Sequence, residues 1–125
     1  MVNKYSFRLL VFISMALIIS CTQSNDSNEI EITEVTGSGT DNNSKEFCSD
    51  FTVSQEAAAE FFKRAKPISF KQLHDEYDYL PCYSNGTARI GSDSCTWEIR
   101  AGNTGELRCG TTVEHFACDD CLDAQ

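Results

Sequence analysis

The chain is 125 residues long and carries a net charge of −9, from 10 basic and 19 acidic side chains. That excess of acid excludes nucleic acid and anionic membrane surfaces as partners held by charge, since both require basic patches. It agrees with a basic protein partner, with cations, or with solubility alone, and no internal repeat points to an array.

The first element is a short apolar run over residues 9–19, preceded by Lys4 and Arg8 and followed by Ser20 and Cys21. A positive start, an apolar centre and a small residue before the cut site are the parts of a secretory signal peptide. The run is too short to span a bilayer as a helix, which takes about 20 apolar residues. Ile18-Ile19-Ser20-Cys21 resembles the lipobox of bacterial lipoproteins, with isoleucine where leucine is more usual. The resemblance implies cleavage before Cys21, diacylation of its thiol and acylation of the new amino terminus. Several acyl chains anchor stably where one does not. Thr22 follows the cysteine instead of aspartate, which by analogy with enteric bacteria implies the outer membrane, facing the periplasm, with the inner membrane as the alternative. Residues 1–20 are therefore expected to be a lipoprotein signal peptide. Their removal takes Lys4 and Arg8 with it and leaves the mature chain more acidic still.

Residues 21–46 are expected to be a lipidated, disordered tether. Ser, Thr, Asn, Gly and acidic residues dominate and no aromatic side chain occurs. Such a composition cannot bury enough apolar surface to offset its ordering entropy. A flexible chain of about 25 residues spans roughly 25–30 Å. Within it, Glu29-Ile30-Glu31-Ile32 alternates like a short strand that could add to a sheet edge.

Residues 47–125 are expected to form one small cysteine-rich domain. A helix is predicted over 54–65, with Ser54 as N-cap, Glu56 in the first turn, and Ala57, Ala58, Phe61, Phe62 and Ala65 on one face. Pro67 ends it. A shorter helix follows, where Ser69 and Gln72 fit a capping box and Phe70, Leu73 and Tyr77 provide a buried side. From Cys82 onward the pattern changes to period two. Four strands are predicted over about 82–90, 94–100, 105–109 and 112–118, with turns at 91–93, 102–103 and 110. Short connections imply antiparallel neighbours. The expected fold is α+β: two short N-terminal helices packed on a four-stranded antiparallel meander, stapled by disulfides.

With Cys21 given to lipid, six cysteines remain: Cys48, Cys82, Cys95, Cys109, Cys118 and Cys121. An even number in a small exported domain reads as a disulfide framework, and a core of this size gains from covalent staples. Pairing Trp97 with Leu107 on one apolar face puts Cys95 opposite Cys109; a one-residue slip would bring Arg108 onto that face. Cys118 and Cys121 are left to pair with each other or to reach separately to Cys48 and Cys82.

Over roughly residues 60–118 the domain resembles small uncharacterised exported domains of Gram-negative bacteria. The resemblance rests on Arg64-Ala65-Lys66-Pro67, Leu73-His74-Asp75-Glu76-Tyr77-Asp78, Pro81-Cys82 and Trp97-Glu98-Ile99-Arg100-Ala101-Gly102. It implies no particular site.

The candidate chemistry is sparse. Cys118-Asp119-Asp120-Cys121 lacks the following helix that lowers a thiol's pKa in thioredoxin-like sites, and its two aspartates oppose a thiolate. As half of a structural zinc site it would need Cys82 or His115. His74 and Asp78 lie four apart, a spacing that on a helix would bring them together to hold a metal or orient a base. An exposed helix face has the same pattern, and His115 stands alone. Hydrolase and phosphate-loop signatures are absent. Asn85-Gly86-Thr87 reads as a turn despite matching a glycosylation sequon. If Trp97 faces inward, then Thr96, Glu98 and Arg100 share the outer sheet face and form the candidate protein-binding residues. The expectation is an envelope lipoprotein with a binding or structural role and no enzymatic activity, metal, cofactor or small-molecule substrate. Its partners would be the membrane, through the anchor, and an envelope protein or toxin. The alternatives are an immunity protein that neutralises a secreted toxin and, behind it, a small envelope enzyme.

Overall fold

Over residues 82–88 and 95–99 every second residue turns inward. Cys82, Ser84, Gly86 and Ala88 are buried, then Cys95, Trp97 and Ile99, while the residues between them stay partly or fully exposed. This alternation is the period of a strand with one covered face. The computed structural model describes residues 28–122. Their elements, in chain order, are β1 (Ile30–Thr40), α1 (Gln55–Arg64), β2 (Lys66–Ile68), α2 (Phe70–Glu76), β3 (Cys82–Ile90), β4 (Asp93–Arg100), β5 (Thr104–Cys109) and β6 (Thr112–Ala117). The strands form a single six-stranded sheet in the order β1-β3-β4-β5-β6-β2, and every neighbouring pair is antiparallel. No helix among the described residues is long and apolar enough to cross a membrane. The expected signal peptide and lipobox, ending at Ile18 to Cys21, lie outside the described residues.

The expected four-stranded meander with two helices packed on it is corrected. The four strands read from the sequence form the middle of a larger sheet, and β1 and β2 add one strand at each side. β1 comes from the segment expected to be a tether. It pairs with β3 from Ile30↔Ile90 to Thr40↔Cys82, with register shifts between Ile32 and Glu34 and between Val35 and Gly37. Ile32 is buried in the core and Ile30 and Val35 pack against it. Three apolar side chains and a long ladder are enough to order a segment that is otherwise polar. β2 is the three residues after α1, paired to β6 through Lys66↔Ala117 and Ile68↔His115. Pro67 sits in this edge strand, where its missing N–H costs no ladder bond on the solvent side.

α1 covers one face of the sheet. Ser54 accepts from the Ala57 backbone N–H, Glu56 lies in the first turn, and Lys63 and Arg64 lie in the last, so cap and charges agree with the helix dipole. Ala58, Phe61 and Phe62 are buried. Phe62 meets Trp97 and Phe116 edge to face, with centroids 6.4 and 5.4 Å apart. Gly86 is opposite Trp97 in the β3–β4 register. A Cβ on Gly86 would collide with the Glu34 carbonyl and with the indole ring. The sequon is therefore the middle of a strand and not a turn, and glycine is there to let β1 and Trp97 approach.

α2 departs from its predicted packing. The capping box of Ser69 and Gln72 is present, yet no residue of the helix is buried, and Phe70 is among the most exposed large hydrophobic residues described. Leu73 is only half-buried. Tyr77 lies at the C-cap and donates its hydroxyl to Asp119 at 3.1 Å. Capping holds this helix more than burial does.

Three cysteine pairs stand at disulfide distance: Cys48–Cys82, Cys95–Cys109 and Cys118–Cys121, with Cα separations of 5.2, 4.4 and 5.4 Å. The β4–β5 register is Trp97↔Leu107 and Cys95↔Cys109. Cys48–Cys82 ties the loop after β1 to the start of β3 and closes the longest loop, so in the chain-entropy account it stabilises most, by about 4 kcal/mol.

Candidate functional site

Among the described residues, the face of the sheet opposite α1 has no comparable cover. Its central row crosses the strands as Asn85, Glu98, Glu106 and His115, each paired with the next in register. The rows beside it carry Thr87, Thr96 and Arg108 on one side, and Tyr83, Arg100 and Thr104 on the other. Polar and charged side chains make up nearly all of this surface. α2 and the segment after it rise beside it, so that Leu73 and Tyr79 wall a groove of about 340 Å³ whose other lining includes Glu98, Arg100, Glu106, Arg108 and His115. A second hollow of about 230 Å³ continues from Glu98, Glu106 and Arg108 towards Thr36, Asn85 and Thr87. Phe70 stands over His115, with ring centroids 5.8 Å apart.

One side of the groove is a closed polar knot. Arg100 donates to Asp41 at 2.9 Å and to the Leu80 carbonyl at 3.1 Å, and it pairs with Glu98 at 2.8 Å. Its guanidinium lies 4.4 Å from the Tyr79 ring centroid and 5.3 Å from that of Tyr83, within cation–π range of both. Tyr79 in turn donates its hydroxyl to Asp41 at 2.7 Å. The bond from Tyr79, followed by that from Arg100, holds the Asp41 carboxyl below its ordinary value. The same bond, aided by desolvation, raises the Tyr79 hydroxyl. Burial works against the charge on Arg100, but Glu98 and Asp41 outweigh it and the guanidinium is held protonated.

The other side is looser. Arg108 pairs with Glu106, and its side chain is more than half exposed. His115 Nδ1 lies 3.8 Å from Glu106 Oε2, too far for a hydrogen bond. Towards β1, Thr33 and Thr87 share a hydroxyl bond of 2.7 Å, and Thr36 donates to Asn85 at 3.0 Å.

The residues singled out in the sequence fall into two groups. Thr96, Glu98 and Arg100 do share the outer face, with Cys95, Trp97 and Ile99 buried beneath. Of the three, Arg100 is spent inside the domain, whereas Thr96 is open. The others do not assemble into a site. α2 ends at Glu76 with Tyr77 extended, so Asp78 is off the helix and the His74–Asp78 face does not form. His74 instead pairs with Asp75, which also pairs with Lys71. Those bonds, Lys71 first, lower the Asp75 carboxyl. Cys118, Asp120 and Cys121 come close enough to suggest a metal set. The two cysteines are paired with each other, however, and Cys82 with Cys48, so these sulfurs stand as disulfides and not as zinc thiolates. Asp120 pairs with Arg64 at 2.8 Å.

Glu106 and Arg108 were within reach of sequence reasoning. The register that opposes Cys95 to Cys109 also opposes Glu98 to Glu106 and Thr96 to Arg108. Asp41 and Tyr79 carry no such signal, since loops of different origin bring them to Arg100. No family model matches the chain, and neither a curated protein nor a solved structure matches it significantly.

Proposed function

We propose that this chain is a membrane-anchored lipoprotein of the bacterial envelope whose domain binds another envelope protein through the open face of its sheet. The observation that carries the binding role is the asymmetry of the sheet: one face is sealed by α1, while the other holds a polar groove beside a helix that buries nothing. Covering a sheet face costs little when apolar residues line it. A face of threonines, glutamates and arginines with a standing groove suits a partner that arrives and leaves. The anchor rests on Lys4, Arg8, the apolar run and Ile18 to Cys21, with the periplasmic face of the outer membrane as its place. Neutralisation of a secreted toxin is one form this binding would take, and the acidic chain would favour a basic toxin.

A photo-crosslinking residue placed at Thr96 in living cells tests the binding role. A discrete adduct from Thr96, with none from Lys63 on the outer side of α1, is the expected result. Equal adducts from both positions, or none from Thr96, would remove the open face as the docking surface. Cys21→Ser tests the anchor separately: the variant should remain unprocessed or leave the membrane fraction.

A further inference from the structure

We infer that the groove under α2 is a receptor for a single lysine or arginine side chain presented by the docking partner. This rests on the open face being the binding surface and names the chemistry that it reads. Glu98 and Glu106 lie directly opposite one another across β4 and β5. Like charges so placed repel, and each is relieved from its outer flank only. Glu98 pairs through Oε1 with Arg100, and Glu106 pairs through Oε1 with Arg108. Those pairs leave the second oxygens for a third cation: Glu98 Oε2, and Glu106 Oε2, which His115 Nδ1 approaches only to 3.8 Å. Arg100 cannot serve both sides, because it also neutralises Asp41. The groove itself holds two carboxylates and two guanidiniums beside the imidazole of His115, and Asp41, outside the lining, draws on one of those guanidiniums.

The walls suit the rest of such a side chain. Leu73 offers an apolar surface for a methylene stem, and the Tyr79 ring already accepts one guanidinium, as aromatic rings do for cations. A volume of about 340 Å³ lies at the low end for ligand pockets. It has room for one long side chain. The acidity of the whole chain adds long-range attraction for a basic partner.

The test is a titration of the full chain in detergent micelles, followed by amide chemical shifts. The probes are Nα-acetyl-arginine amide and Nα-acetyl-lysine amide, with Nα-acetyl-glutamate amide as the contrast. Saturable shifts at Glu98, Glu106, His115 and Leu73 with either cationic probe are expected. Glu98→Gln with Glu106→Gln should weaken binding at least tenfold. Leu73→Trp, on a helix that buries nothing, should block the groove without touching a carboxylate and so separates loss of the site from loss of the fold. Absence of saturable shifts, shifts confined to another face, or tighter binding of the glutamate probe through Arg108 would each overturn the inference. A crosslink from Thr96 that survives in the double glutamine variant would leave the open face as the docking surface and remove only the cation receptor. A wild-type chain that gives no such crosslink, yet binds arginine in the groove, would do the reverse.

Discussion

The two faces of this sheet are built from the same strands and differ in what holds them. On the α1 side, Trp97, Ile99 and Leu107 are almost fully buried together with Phe61, and contact and exclusion of water supply the stability. On the open side, Glu98, Arg100, Glu106 and Arg108 are held by charge pairs, and water remains within reach. A core face tolerates little change in shape. A charged face tolerates substitution but responds to pH, salt and partners. The difference places stability on one side and, under the proposed function, recognition on the other.

The largest expected effect breaks the covered face. Trp97→Ala should cost about 3–5 kcal/mol, the range for a large buried aromatic, whereas its neighbour Thr96→Ala should stay within about 0.5 kcal/mol, as exposed substitutions do. Urea unfolding of the two variants measures the contrast directly. Similar losses would mean that the open face is also core.

A smaller effect is expected where the open face is most tightly knit. Arg100→Ala should cost about 1–2 kcal/mol, since charged hydrogen bonds are lost but partial exposure screens them. The knot also has an acid limit. Asp41 is held below its ordinary value of 3.8, so its contribution is fully present above that value and is lost as pH falls through the lower, folded value. Wild-type stability should therefore fall more steeply than that of Asp41→Asn below about pH 4, in thermal melts across pH, with no difference of slope between pH 5 and 7.

The finest comparison uses one motif twice. Ser54 and Ser69 both cap helices, but only α1 is packed. Ser54→Ala should cost about 1 kcal/mol. Ser69→Ala should leave global unfolding nearly unchanged while hydrogen exchange over 70–76 quickens. If both cost the same, α2 is part of the cooperative core.

The same division governs what the sequence revealed. Trp97, Leu107 and the two cysteines beside them declare the β4–β5 register, because a slip would bury Arg108. The Ser54 and Ser69 caps are equally legible, since capping is local chemistry. β1 is not: its register shifts after Ile32 and after Val35 break the alternation, and only Ile32 is buried. The pattern of a bulged edge strand is hard to tell from that of a polar linker. α2 misleads in the opposite way, because an apolar stripe of Phe70, Leu73 and Tyr77 reads as buried when only Leu73 lines the groove and Phe70 stands exposed. The groove itself depends on Asp41 and Tyr79 meeting Arg100 from distant loops, which no spacing announces.

β1 also changes the length of the leash. Between Cys21 and Ile30 lie only residues 22–29, a length of chain that can reach at most about 29 Å. With Cys21 in the bilayer, the domain would ride close above the lipid headgroups with the Ile30 end of its sheet turned down, and the knot at Asp41 would face away. A partner gripping that far end would pull along β1 against its own anchor. The load would then fall on the β1–β3 ladder in shear, shared by all its rungs at once instead of unzipping them one by one. An edge strand that looks like slack in the sequence would serve as the member that bears the tension.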